Sequence, residues 1–271
     1  MIDFPNGKIN IGLSVTEKRP DGFHNLETIM YPVKIYDALE IIISPDKVFS
    51  FTLSGIKLDG EFKDNLVCKA YELLKRDFNL PAVKIHLHKV IPCGAGLGGG
   101  SADAAFTIRM INKLFDLGLT IVEMQDYAKR LGSDCAFFLE NKPALATGRG
   151  DQLEPVKLNL PDRYMVIVKP DIHISTPEAY SWIKPAIKEK KLKELIKRPI
   201  GNWRNLVIND FEDEVMKRHS VIKVIRDELY QMGATYASLT GSGSALYGIF
   251  NNPVHIGNRF QNHIIWTDCN I

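Results

Sequence analysis

Residues 92–103 read PCGAGLGGGSAD, with glycines at Gly94, Gly96, Gly98, Gly99 and Gly100. A residue without a Cβ loses more conformational entropy on folding than any other, so a plain connection has no reason to place five glycines in nine residues. A loop whose amides must approach a polyanion does need missing side chains. Before it, Val83, Ile85 and Leu87 alternate with Lys84, His86 and His88, the period of a half-buried strand. After it, an apolar stretch predicts a helix over 101–117 with Gly118 at its C-terminal stop. Strand, glycine-rich turn and helix start together predict a phosphate loop, since the unpaired N–H groups and positive dipole end of a helix favour phosphate.

Three phosphate loops compete for this string. The Walker type, GxxxxGK[ST], fails because no lysine precedes Ser101. The dinucleotide fingerprint GxGxxG matches at Gly94, Gly96 and Gly99, but it requires an acidic residue closing a second strand about 20 positions on. Asp116 falls instead at the end of a helix. The third is a longer loop with a GLGGGSA core followed by a helix, the type found in small-molecule kinases.

Working outward, residues 34–43 and 48–53 read as two strands of a hairpin. Asp64 is expected to cap a helix whose apolar positions run from Leu66 to Phe78. Thr120 and Glu123 form a capping box, opening a helix that ends near Gly132. Strands are expected at 143–148, 164–169, 235–239 and 245–250, and helices at 187–197, 204–218 and 220–232. Thr176 followed by Pro177 reads as an N-cap with proline at the first helical position. At about 150 residues per domain, 271 residues suggest two domains, divided near residue 157 into 1–157 and 158–271.

Lys+Arg minus Asp+Glu is 34 − 32 = +2, which gives no global positive field to hold a nucleic acid or an anionic membrane. No apolar run is long enough to span a bilayer. MIDFPNGKIN lacks a basic region followed by an apolar one, so no secretory signal is expected. Cys68, Cys93, Cys135 and Cys269 have no CxxC spacing, which fits thiols in a reducing cytoplasm. His86 and His88 share a polar strand face without a third ligand, so no metal role is assigned to them.

Three motifs resemble those of the GHMP kinases: residues 5–13, PNGKINIGL; the loop at 92–103; and residues 239–248, LTGSGSALYG. Their order and spacing cover nearly the whole chain. Within that family, KRPDGFHNLET at 18–28 and LGSDCAFFL at 131–139 resemble a branch whose small-molecule acceptor carries cytidine diphosphate. Phe23 stands where that branch commonly has tyrosine, and Gly7 where it has alanine. The resemblance implies an α+β, two-domain GHMP kinase fold, with a ribosomal-protein-like N-terminal domain, a ferredoxin-like C-terminal domain and the active site in the cleft between them. It implies ATP and Mg²⁺ as cofactors and transfer of the γ-phosphoryl group to the acceptor's 2-hydroxyl, in isoprenoid precursor biosynthesis.

Phosphoryl transfer passes through a loose transition state, so positioning and electrostatics dominate its catalysis. By resemblance, Asp134 is the base that accepts the hydroxyl proton, and Lys8 orients the hydroxyl and offsets phosphate charge. The nucleotide falls to Lys89, Pro92, Cys93, Gly94, Ala95, Gly96, Leu97, Gly98, Gly99, Gly100, Ser101 and Ala102, with Ser101 a ligand to phosphate or Mg²⁺ and Asn65 and Leu66 bordering the base. Asp103 is read as complementing the helix dipole, and the metal shell is not legible. The acceptor falls to Asn10, Phe23, His24, Thr176 and Tyr180, with Phe23 and Tyr180 stacking on the two faces of cytosine. Gly241 and Gly243 are expected to let the third motif approach the loop. The alternatives are another kinase of this family, a catalytically silent nucleotide sensor on the same scaffold, and a dinucleotide-dependent oxidoreductase.

Overall fold

The computed structural model describes residues 1–58, 61–160 and 162–269; the side chains of Asp268 and Cys269 lie outside this description. The first half of the chain comprises Ile2–Asp3 (β1), Asn6–Lys18 (β2), His24–Tyr36 (β3), Ala38–Ile43 (β4), Ser50–Gly55 (β5), Leu66–Phe78 (α1), Val83–Lys89 (β6), Gly99–Leu114 (α2), Ile121–Lys129 (α3) and Phe137–Glu140 (α4). There follow Ala144–Thr147 (β7), Gln152–Pro155 (β8), Tyr164–Lys169 (β9), Thr176–Ser181 (α5), Leu192–Leu195 (α6), Glu212–Arg218 (α7), Ser220–Gln231 (α8), Tyr236–Leu239 (β10), Leu246–Phe250 (β11) and Ile264–Cys269 (β12). The mixture is α+β, as the sequence predicts. The chain divides into two compact units, one of Met1–Gly7, Ile35–Cys93 and Gly98–Lys142, the other of Lys8–Lys34, Gly94–Leu97 and Pro143–Ile271. Residue 157 lies inside the second unit, because segments 8–34 and 94–97 pack with the C-terminal half of the chain, from Pro143 onward.

In the first unit, the sheet runs β1-β4-β6-β5. The expected hairpin between β4 and β5 does not form, because β6 lies between them, antiparallel to β4 and parallel to β5. Val83, Ile85 and Leu87 are buried, whereas Thr52 and Leu53 are exposed, so the more apolar strand takes the centre and the half-polar one the edge. Helix α1 buries Val67, Cys68, Ala70, Tyr71 and Leu74 along one stripe and packs on α2. Its N-cap is Asn65 rather than Asp64: Val67 N–H donates to Asn65 Oδ1 at 2.9 Å. Helix α2 is buried almost all round from Ala102 to Met110, the pattern of a central helix. The capping box of Thr120 and Glu123 is present at the start of α3.

In the second unit, one sheet runs β2-β3-β7-β8 and another β10-β11-β9-β12. Leu13 N–H donates to Ile208 O at 3.0 Å and Asp210 N–H to Leu13 O at 2.8 Å, which fixes β2 against the segment before α7. A core of Val166, Val168, Phe211, Ile222, Ile225, Leu229, Leu239 and Leu246 gathers under the second sheet. The helix expected over 187–197 shrinks to α6. That expected over 204–218 splits into a 3₁₀ segment, Ile200–Asn205, and α7. Between the two pieces, Asn209 donates to Leu239 O at 2.9 Å and Gly241 O at 2.8 Å while accepting from Phe211 N–H at 3.0 Å. A side chain so occupied with backbone groups favours a turn over helix. Ser175, not Thr176, caps α5, accepting from Glu178 N–H at 3.3 Å.

Candidate active site

The glycine-rich segment is anchored differently within each unit. In the first, Gly98 at φ 70° is the left-handed N-cap of α2, and helix geometry leaves the first-turn N–H groups without carbonyl partners four residues back. A Cβ on Gly99 would stand 2.8 Å from Ile91 Cγ2 and 3.2 Å from Lys89 Nζ, so the helix start sits directly over the end of β6.

Lys89 itself departs from expectation. Its ammonium is fully buried and donates to Asp37 Oδ2 at 2.5 Å and Asp103 Oδ2 at 2.8 Å, so it faces two carboxylates instead of a nucleotide. Burial works against the charge, but Asp103 and Asp37 beside it hold the Lys89 ammonium above its ordinary range. Desolvation pushes the Asp103 carboxyl up to about 7 against the pull of Lys89. Asp37 Oδ1 in turn accepts from Val90 N–H at 2.5 Å and Ile91 N–H at 2.8 Å. The triad thus ties the strand end to the N-terminal part of α2, just past its first turn.

Asp134 lies half-buried on the turn before α4, where Phe137 N–H donates to its carbonyl at 3.2 Å. Its neighbour Cys135 is buried, and desolvation pushes its thiol up to about 12 against the opposing influence of the nearby Ser101 hydroxyl. A Cβ at Gly132 would meet Cys135 Sγ at 3.3 Å and Ser101 Oγ at 4.0 Å. Ser101 and the Asp134 turn are therefore neighbours within the first unit.

In the second unit, β2 puts Lys8 and Asn10 on one face, as their spacing predicts. The buried Lys8 ammonium donates to Asn10 Oδ1 at 2.5 Å and to Gly96 O at 3.0 Å, and Lys8 N–H donates to Leu97 O at 2.9 Å. Thr240, in the third motif, accepts from Asn10 N–H and donates to Gly96 O, both at 3.0 Å. Asn10 Nδ2 donates to Thr28 Oγ1 at 3.1 Å, and Tyr247 OH to Asn10 O at 3.0 Å. A Cβ on Gly96, at φ 78°, would stand 2.0 Å from Thr240 O. Only glycine fits there. Gly241 approaches the loop as expected, its Cβ position lying 3.3 Å from Gly96 Cα, whereas Gly243 neighbours the side chains of Leu239 and Ile174.

The residues expected at the acceptor also share the second unit. His24 stacks on Tyr180 with centroids 4.8 Å apart, and Tyr180 meets Phe211 at 81°. Desolvation and nearby Lys18 lower the His24 pKa, favouring neutral imidazole. Phe23 is 53% exposed, and Thr176 is exposed at the start of α5. Three contact residues go beyond the expected site: Thr240 in the third motif, Asp37 between β3 and β4, and Arg149 in the β7–β8 turn. Only the last two lie outside any motif, and no sequence signal marks their contacts.

Residues 65–142 match the GHMP kinases N terminal domain and residues 183–263 the GHMP kinases C terminal family. A relative from Parabacteroides distasonis named 4-diphosphocytidyl-2-C-methyl-D-erythritol kinase is 49% identical over 269 residues, 99% of this chain and 97% of the relative. One of the same name from Bacteroides thetaiotaomicron is 53% identical over 252 residues, 92% of each chain. The chain belongs to the 4-diphosphocytidyl-2-C-methyl-D-erythritol kinase family. A crystal structure of a 4-(cytidine 5'-diphospho)-2C-methyl-D-erythritol kinase superposes with a TM-score of 0.80 at 27% identity, covering 98% of both chains. The mevalonate kinase of Methanococcus jannaschii shares the GHMP fold at 15% identity, with a TM-score of 0.69 and coverage of 100% of this chain and 98% of the other. Among the described residues no helix is long and apolar enough to cross a membrane.

Proposed function

We propose that this chain transfers the γ-phosphoryl group of ATP to the 2-hydroxyl of 4-diphosphocytidyl-2-C-methyl-D-erythritol, in the cytoplasm, as a step of non-mevalonate isoprenoid precursor synthesis. The single observation that carries the reading is the near full-length identity to kinases of that name. The loop fits the nucleotide because its helix start offers N–H groups to phosphate, while Gly96 and Gly99 let it pack where a side chain would collide with Thr240 O and Ile91. Asp134 accepts the proton of the attacking hydroxyl. Lys8, with Asn10 and Gly96 fixing its ammonium, supplies positive charge toward the transferred group. Phe23 and Tyr180 stack on the cytosine, with His24 and Thr176 supplying polar contacts. Mg²⁺ is assigned to the ATP phosphates, with the Ser101 hydroxyl as the group that would hold phosphate or metal there. Bound there, the ion would neutralise charge developing on the phosphoryl oxygens. The division into 1–157 and 158–271 as N- and C-terminal domains belongs to the same proposal.

Incubation with ATP, Mg²⁺ and the cytidyl acceptor is expected to give ADP and one monophosphorylated product by mass spectrometry. Phosphorus–carbon coupling is expected to place the phosphate on the carbon bearing the 2-hydroxyl. ATP turnover without that product, or phosphate on another hydroxyl, would contradict the reading.

A further inference from the structure

The exposed Phe23 ring sits on a turn that is tied down unusually well. Arg19 Nε and Nη2 donate to both carboxylate oxygens of Asp21 at 2.8 to 3.1 Å, and Arg19 Nη1 donates to Asn25 Oδ1 at 3.0 Å. Phe23 N–H donates to Asp21 Oδ1 at 3.1 Å, and Arg19 N–H to Phe23 O at 2.8 Å. The backbone of residue 23 is therefore fixed, while its side chain projects into solvent. The Arg149 guanidinium lies over that ring, 5.0 Å from its centroid. Arg149 comes from the β7–β8 turn, which is itself anchored beside β3: Leu26 N–H donates to Gly148 O at 2.8 Å. Asp151 accepts from Arg149 N–H at 3.1 Å and from Arg149 Nη2 at 3.4 Å, which aims the guanidinium. Gly148 and Gly150 at φ 64° and 94° make that tight turn possible.

We infer that Arg149 is a positioning residue for acceptor recognition: it covers one face of Phe23 and so presents the opposite face, in one orientation, to the cytosine ring. The inference rests on the reading of Phe23 as a cytosine platform. A guanidinium over an aromatic face is attracted by the ring quadrupole. A ring held in its bound orientation spares the ligand the cost of ordering it. Arg149 thereby acts on the acceptor through Phe23 and on nothing that holds ATP.

The test is a double-mutant cycle of Phe23→Ala and Arg149→Ala, with KM measured separately for ATP and the cytidyl acceptor and folding checked by thermal unfolding. Arg149→Ala is expected to raise the acceptor KM about 2- to 5-fold, the size of an exposed cation–π contact. In the Phe23→Ala background the same substitution is expected to change nothing, and ATP KM to stay constant throughout. Equal effects of Arg149→Ala in both backgrounds would overturn the inference in favour of direct contact with the acceptor, and so would no effect in the wild-type background. An unchanged acceptor KM in Phe23→Ala would instead remove the cytosine platform, and the inference with it.

Discussion

Asp134 is asked to do one chemical task, and its position suits a sharp test. It stands on a turn beside Ser101 rather than inside the glycine-rich segment, so its removal should spare nucleotide binding. Loss of a general base typically costs about 10² to 10⁴ in rate. Asp134→Ala is therefore expected to lower kcat by that factor with ATP KM nearly unchanged; a variant keeping more than half of kcat would discharge Asp134 from the role. The thiols offer a second check. Burial pushes Cys68 up to about 11 and Cys135 up to about 12, so neither presents thiolate at pH 8. Cys93 is exposed, although desolvation raises its thiol too. Peptide mapping after alkylation at pH 8 is expected to find Cys93 modified well before Cys68 and Cys135, with ATP slowing Cys93 if the loop holds phosphate. Early modification of Cys135 would mean that the Asp134 turn opens readily.

The loop and its supports set the properties of the neighbouring elements. Gly96→Ala would place a methyl carbon 2.0 Å from the Thr240 carbonyl at φ 78°, and a non-glycine residue in that conformation costs of order 1–3 kcal/mol. The expected outcome is loss of at least that much in urea unfolding together with weaker ATP binding by calorimetry. Full ATP affinity would remove the phosphate-cradle reading. Beneath α2, Lys89→Met would leave Asp37 and Asp103 buried without their cation, at a cost of about 3–5 kcal/mol. A fall of less than about 1 kcal/mol in denaturant unfolding would show that the triad does not hold the strand end to the helix. The loop itself was legible in sequence because five clustered glycines admit few explanations, and α3 because its capping box is local. What escaped was non-local. Nothing near β5 says that β6 will insert beside β4, and the position of Asp37 between β3 and β4 acquires meaning only once Lys89 and Val90 arrive from far along the chain. Helix α6 is shorter than the 187–197 pattern predicts, because charged residues at helical spacing occur just as readily on irregular surface segments.

At the scale of the whole molecule, motif order was enough to anticipate an α+β GHMP kinase architecture, which the family matches and the 0.80 TM-score superposition bear out. The compact units were not legible. Lys8 and Thr240, from opposite ends of the chain, both donate to Gly96 O, and no composition shift marks such interleaving. Under the proposed function the acceptor is recognised by its cytidine, because remote binding energy positions the reacting hydroxyl. Base stacking on an aromatic is worth about 1–3 kcal/mol, or roughly 5- to 150-fold. The most direct measurement is kcat/KM for the cytidyl acceptor beside methylerythritol phosphate lacking the cytidine and beside mevalonate, under one set of conditions. Preference for the cytidyl acceptor by at least that range, with no turnover of mevalonate, is the predicted result; equal use of the stripped acceptor, or efficient phosphorylation of mevalonate, would contradict it.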